Sequence, residues 1–315
     1  MIEARSLTKR YGQTAAVSNL SFTIRPGLVT GFLGPNGAGK TTTMRMILGL
    51  DYPTAGSVTI GGVPYARLAY PMREVGALLE ARAVHGGRTA RSTLLSLAQT
   101  NDISRRRVDE VLGIVGLTDV AGKRSKGFSL GMSQRLGIAA ALLGDPQILM
   151  FDEPVNGLDP EGIVWIRTFM RSLAAEGRTV LVSSHLMSEM ENTADHLIVI
   201  GRGHLIADCS MAEFIARSSG QAVLVRTPQR DVLATAVAAA GGTVSNSGDE
   251  LAVRGLTEDQ VAELAFANGV RVHHLAPTKV SLEQAFMELT ADSVDYHAEL
   301  PASREPAQQS TEARR

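Results

Sequence analysis

GPNGAGKTT, residues 34–42, follows the apolar run LVTGFL (28–33) and leads into MRMILGL (44–50). Gly34, Gly39, Lys40 and Thr41 fit the spacing G-x-x-x-x-G-K-[ST], in the order strand, glycine-rich loop, helix that this motif requires. The strand and helix on either side set aside the alternative of a plain glycine turn before an ordinary helix. Through Gly34, Pro35, Asn36, Gly37, Ala38 and Gly39 the backbone can wrap an anion, because glycine tolerates positive φ and close approach. The N–H groups of Gly37, Ala38, Gly39 and Lys40 then converge on phosphate oxygens, and the helix N-terminus adds partial positive charge. On this reading Lys40 reaches the β and γ phosphates of a nucleoside triphosphate. The Thr41 hydroxyl ligates Mg²⁺, and Thr42 bonds on the α-phosphate side.

Working outward, ILMFDEP (148–154) places Asp152 and Glu153 at the C-terminal end of a second buried strand, where open α/β sheets carry their ligand chemistry. Asp152 is expected to hold Mg²⁺ through its water shell, and Glu153 to act as general base for the water that attacks the γ phosphate. The competing role, a carboxylate pair capping the next helix, falls more naturally to Asp159, which precedes Pro160 at a first helical position. A third apolar strand, TVLVSS (179–184), ends at His185, which is delivered to the same sheet edge and is expected to contact the γ phosphate.

The rest of the chain arranges itself around these strands. Leu20, Phe22 and Ile24 alternate with polar residues as in a half-buried strand of a hairpin-like N-terminal region. Residues from about 76 to 145 read as a helical insertion. A helix with Ile163, Ile166, Phe169 or Met170, and Leu173 on one face joins the strands at 148 and 179, which implies a parallel βαβ crossover. Residues 197–207 read as a hairpin. From 216 to 290 a smaller α+β unit follows in βαββαβ order, with one more helix, SLEQAFMELT. The tail 291–315 has no periodicity and reads as disordered.

Composition excludes several classes. Among 315 residues, 31 Lys and Arg against 32 Asp and Glu give a net charge of −1, with no general attraction to nucleic acid or an anionic membrane surface. The run Arg105-Arg106-Arg107 reads as a solvated helix face rather than a partner site. Only 4% of residues are aromatic, too few for a stacking platform for single-stranded nucleic acid. The lone Cys209 forms neither an intramolecular disulfide nor a thiolate metal site, and reads as a small strand residue in a reducing compartment. No run approaches the ~20 apolar residues of a membrane span, so in any membrane role another chain is expected to do the crossing.

With these pieces in order, and with FSLGMSQRLGIA at 128–139, the first 215 residues resemble the nucleotide-binding subunit of an ATP-binding cassette (ABC) transporter. The segment 128–139 is similar to the family signature LSGGQ followed by x-Q-R. The resemblance implies an α/β P-loop NTPase cassette with a parallel sheet core, an antiparallel β subdomain and a helical subdomain at about 76–145. The small C-terminal α+β unit looks like the accessory region of exporter ATPases.

Several roles are implied by the resemblance alone. Tyr11 would stack on adenine, and Ser129 and Gly131 would bind the γ phosphate of ATP held by the opposite subunit. Asn156 to Asp159 would cross the dimer interface, and His185 would be the switch histidine. Glu80 stands where the family usually has Gln and would supply an oxygen ligand to Mg²⁺, as in exporters and immunity proteins for bacitracin and lantibiotics; a solvated loop residue is the alternative. Leu130 and Met132 replace the usual Gly and Gln of the signature, and Asn156-Gly157 replaces the usual Ser-Ala. The implied protein is an ATPase acting as a homodimer at the cytoplasmic face of the cell membrane. It would power export of a drug, antibiotic or lipid-like substrate through a separately encoded integral membrane permease, with no nucleic-acid partner. An ABC ATPase acting on ribosomes or nucleic acid is the alternative.

Overall fold

The computed structural model describes residues 1–80, 84–217, 222–278 and 281–290. Near-continuous apolar runs become the centre of a six-stranded sheet. These are β3 (Val29–Leu33), β6 (Ile148–Asp152) and β7 (Thr179–Ser183), buried at all or all but one position, as strands covered on both faces must be. With β5 (Val75–Leu78), β8 (His196–Gly201) and β9 (His204–Ser210) the order is β5-β6-β7-β3-β8-β9. All neighbours are parallel except the β8–β9 hairpin.

Side chains alternate between two cores. Leu149 and Phe151 of β6 enter one apolar cluster, while Ile148 and Met150 enter the other. The second cluster is closed by an antiparallel sheet of order β2-β1-β4, formed by β1 (Ile2–Tyr11), β2 (Thr14–Ile24) and β4 (Ala55–Ile60), which contributes Leu20, Phe22 and Ile24. α1 (Lys40–Ile47) packs there as well, through Met44, Met46 and Ile47. The first cluster is covered by helices: α3 (Ala90–Thr100), α4 (Arg105–Ile114), α5 (Leu130–Leu142) and α6 (Pro160–Ala175), each opened by a Thr, Ser or Asp side chain that accepts a backbone N–H of the first turn. α2 (Pro71–Glu74), α7 (Met187–Glu191) and α8 (Met211–Ala216) are short connectors.

The C-terminal unit has the expected βαββαβ order: β10 (Val223–Arg226), α9 (Arg230–Ala239), β11 (Thr243–Ser247), β12 (Glu250–Arg254), α10 (Glu258–Ala267) and β13 (His274–Pro277). Its antiparallel sheet, β11-β12-β10-β13, carries its own apolar cluster. Three findings depart from the sequence reading. The helical insertion expected from 76 begins later, because β5 pairs with β6 from Val75↔Ile148 to Leu78↔Phe151; four residues are too few to declare a strand by periodicity. β4, which carries no strand reading in the sequence, is exposed over its first three residues, half-buried over the next two and buried only at Ile60, so it shows no alternation. The last helix, α11 (Leu282–Thr290), expected within the accessory unit 216–290, instead buries Leu282, Ala285 and Phe286 in the core of the large sheet. The tail 291–315 lies outside the described residues.

Candidate nucleotide site

The loop 34–39 leaves the C-terminal end of β3 and turns into α1. Gly39 is the N-cap of α1 at φ 102°, and a Cβ there would lie 2.5 Å from the carbonyl oxygen of Ala16, so only glycine fits. Residues 35–42, with Ala16, Asp152 and Glu153, line a cleft of about 310 Å³. Lys40 is buried beneath it, its Nζ donating to the carbonyls of Gly34 (2.6 Å) and Pro35 (3.2 Å). Burial pulls the Lys40 pKa below the ordinary lysine value, opposed by the charges of Glu153 and Asp152. An anion in the cleft adds the negative charge that a buried ammonium lacks.

Asp152 and Glu153 leave β6 at the adjoining edge. Thr41 Oγ1 donates to Asp152 Oδ2 at 3.0 Å, and the Ser183 hydroxyl donates to Asp152 Oδ1. Asp152 and Ser183 are register partners across β6 and β7. Glu153 has φ 51°, an uncommon backbone region for this residue type. The conformation is held on two sides. Its N–H donates to the Ser183 carbonyl and hydroxyl, both at 3.2 Å, and its carbonyl accepts from Gln134 Nε2 at 3.0 Å. Glu153 Oε2 lies 2.6 Å from His185 Nδ1.

Tyr11 ends β1 beside the loop. Its hydroxyl donates to Asp51 Oδ2 at 3.1 Å, Asp51 also accepts from Arg45 Nε at 2.7 Å, and Lys9 Nζ sits 5.1 Å from the ring centroid. Partial burial first, and the Asp51 carboxylate second, raise the Tyr11 pKa, keeping the phenol neutral. Half of the residue remains exposed, leaving ring surface open for stacking.

The signature residues lie elsewhere on the same chain. Ser129 caps α5, its Oγ accepting from Met132 N–H at 3.1 Å, and is exposed. A Cβ on Gly131 would meet the Gly157 carbonyl oxygen at 2.6 Å. Gly157 itself has φ 75°, and a Cβ there would lie 2.3 Å from Leu130 Cγ. The two departures from the family pattern therefore fit one another: Leu130 occupies the space that an alanine at 157 would take. Asp159 Oδ1 caps α6 by accepting from Gly162 N–H at 3.0 Å. Glu80, two residues past β5, is exposed and is not among the residues lining the cleft. The chain thus brings together the loop 34–42, Asp152, Glu153 and His185, with Tyr11 at the rim. It leaves Ser129, Gly131, Asp159 and Glu80 outside.

Comparison with known proteins gives the same reading. A family model described as ABC transporter matches residues 17–156. The ABC transporter ATP-binding protein YhcH of Bacillus subtilis (strain 168) is 36% identical over 93% of this chain and 97% of that protein. The chain belongs to the ABC transporter ATP-binding proteins. The bacitracin transport ATP-binding protein BcrA of Bacillus licheniformis is 44% identical over 66% of this chain and 69% of its own length. Among solved structures, a dimeric post-hydrolysis ATP-binding cassette bound to ADP and Pi aligns with a TM-score of 0.62 at 25% identity, covering 67% of this chain and 99% of that one. Residues 221–283 match a model described only as a domain of unknown function.

This ABC protein is therefore an ATPase. Two residues that hold the acidic pair carry no reading in the sequence alone: Ser183, which bonds the Asp152 carboxylate, and Gln134, which bonds the Glu153 backbone carbonyl. Ser183 is the hydroxyl at the end of TVLVS, and Gln134 is the glutamine of the x-Q-R that follows the signature; both signals were visible, but each needs a partner on another element to acquire meaning. Asp51, which orients Tyr11, had no sequence signal. Among the described residues no helix is long and apolar enough to cross a membrane.

Proposed function

We propose that this protein is the ATP-hydrolysing subunit of an exporter. It would act as a homodimer on the cytoplasmic face of the membrane, coupled to a separately encoded permease that carries an antibiotic, drug or lipid-like substrate. The observation that carries the proposal is the position of Ser129 and Gly131. Ser129 stands exposed and Gly131 half-buried at the start of α5, both outside their own chain's phosphate cleft, so a second copy can place its α5 N-terminus against ATP held by the first. The likeness to bacitracin transport ATP-binding proteins supports the substrate class.

Within each site, Lys40 and the loop N–H groups hold the β and γ phosphates, and Tyr11 offers its ring to the base. Thr41 and Asp152 present only oxygen atoms, 3.0 Å apart, at the loop's helix start; this donor set suits Mg²⁺, which when bound offsets triphosphate charge. Glu80, outside the cleft in this structure, is assigned as a further oxygen ligand that would join Thr41 and Asp152 only on closure around the bound nucleotide. The oxygen of a water attacks the γ phosphorus in line while Glu153 accepts its proton, and the bond to the β–γ bridging oxygen breaks, releasing ADP and phosphate. His185, 2.6 Å from Glu153, fixes the direction of that carboxylate.

Glu153→Gln should retain ATP, lose about 10²- to 10⁴-fold in turnover, and elute as a dimer when ATP is present. Wild-type turnover would remove Glu153 from this role. Proteoliposomes holding the chain with the permease encoded beside it should show ATPase activity stimulated by bacitracin-class peptides. Stimulation by ribosomes, with no response to any permease, would overturn the transport reading.

A further inference from the structure

α11 belongs to the C-terminal part of the chain by sequence, yet it packs on the catalytic domain. The accessory unit closes its own core with Val223, Val225, Leu233, Leu251 and Val253, and α11 adds nothing to that cluster among the described residues. Leu282 and Ala285 are fully buried and Phe286 nearly so, in the core that also holds Met190, Cys209 and Phe214. α11 lies against α7 and α8. Its first N–H, on Leu282, donates to Glu191 Oε2 at 3.0 Å. Glu191 is the last residue of α7, so its carboxylate meets both an otherwise unpaired donor and the positive end of α11.

α7 is the segment that follows His185. It has five residues, too few to be stable as an isolated helix, so its position depends on what it packs against. On one side is β3: a Cβ on Gly31 would lie 2.5 Å from Met190 Sδ, so the methionine is seated directly on the strand that feeds the phosphate loop. On the other side is α11. Between them, the Ser184 hydroxyl accepts from the Leu186 N–H at 3.0 Å and shapes the turn that carries His185 to Glu153.

We infer that α11 is a strap by which the accessory unit fixes α7, and that Glu191, Leu282 and Phe286 are positioning residues for His185. The consequence for turnover rests on His185 directing Glu153, as proposed above. A displacement of the accessory unit then reaches the catalytic carboxylate through a continuous chain of contacts, from α11 through α7 and His185 to Glu153.

The test uses the full chain with Glu191→Ala, Phe286→Ala and Ala285→Arg, the last of which places a charge in the α11 contact. Hydrogen exchange of the 186–192 amides reads whether the strap holds α7. ATP titrations read kcat against KM, in the native chain and in His185→Ala. The expected result is faster exchange, a kcat lower by about three- to tenfold with KM within twofold, and no further loss in His185→Ala. Unchanged exchange, or faster exchange with unchanged kcat, overturns the strap; so does an equal fractional loss in the His185→Ala background. Should Ala285→Arg not fold, the other two variants carry the same outcomes, Glu191 being exposed and outside the core. Wild-type turnover of His185→Ala by itself would instead refute the reading of His185, and the exchange data would still report on the strap.

Discussion

Replacing Gly157 by alanine is expected to destabilise the chain by about 2–5 kcal/mol, and replacing Leu130 by glycine at the same time should remove the ~1–3 kcal/mol overpacking part of that loss, less the cost of the new glycine. Two terms make up the first figure. At φ 75° an alanine bears the left-handed penalty of ~1–2 kcal/mol. Its Cβ would also fall 2.3, 2.5 and 2.8 Å from Cγ, Cδ2 and Cβ of Leu130, none of which can all withdraw by a simple rotamer change, an overpacking worth ~1–3 kcal/mol. Leu130→Gly alone removes a side chain that is 39% exposed and sets a glycine at the first position of α5, costing about 1 kcal/mol. In the double variant the overlap is gone and only the backbone terms remain. A double-mutant cycle by urea denaturation should therefore return a favourable coupling of ~1–3 kcal/mol, the overpacking term itself. Additivity within about 0.5 kcal/mol would refute the claim that these two departures from the family pattern compensate one another.

Lys40→Met should abolish the ATP-induced rise in Tm while leaving the nucleotide-free Tm equal or higher. Burial lowers the Lys40 pKa, so holding the ammonium beneath the cleft costs the folded chain, and removing it relieves that cost; a nucleotide-free Tm lower by several degrees would contradict this. Cys209 is buried in β9 and its thiol pKa is raised chiefly by burial, so it should resist iodoacetamide at pH 8 in the native chain and react after denaturation; stoichiometric labelling of native protein would count against the packing described. Glu80→Ala should leave ATP affinity in the absence of metal unchanged, since Glu80 does not line the cleft, and raise the Mg²⁺ concentration required for half-maximal turnover. An unaltered Mg²⁺ titration would leave Glu80 a surface residue.

Much of the site was legible because its signals are local. A phosphate loop is a contiguous spacing of glycines before a lysine, and Asp152, Glu153 and His185 each stand at the end of an apolar run whose burial could be read directly. The βαββαβ order of the C-terminal unit was legible for the same reason. What could not be read is what depends on juxtaposition. Ser183 acquires its role from the register Asp152↔Ser183 across two strands, and Gln134 from the approach of α5 to the turn after β6. An amphipathic pattern at SLEQAFMELT states that one face is covered, not by which domain, so the return of α11 to the catalytic core is a property of the tertiary fold alone. Leu130 and Gly157, read singly, were two unrelated oddities of sequence; the structure makes each the reason for the other.

The strand order explains why these groups converge. β6, β7 and β3 are consecutive neighbours, and their C-terminal ends deliver, side by side, the carboxylates, the serine and histidine, and the phosphate loop. β7 is the middle member. Ser183 at its end bonds the Asp152 carboxylate and the backbone N–H of Glu153, and His185 holds the Glu153 side chain. Glu153, the proposed base, is thus held in a left-handed backbone conformation largely by its neighbour strand rather than by its own. A strained catalytic residue persists only where its surroundings over-determine it, and here the surroundings are the end of β7 together with Gln134 of α5. α5 starts at the signature, at the surface where a second copy would dock, and the segment after β7 lies under α11. The geometry of Glu153 is consequently set from two directions, one at the surface where the proposed second copy would dock and one beneath α11, so on the proposed mechanism either contact would bear on turnover without any change at the phosphate loop.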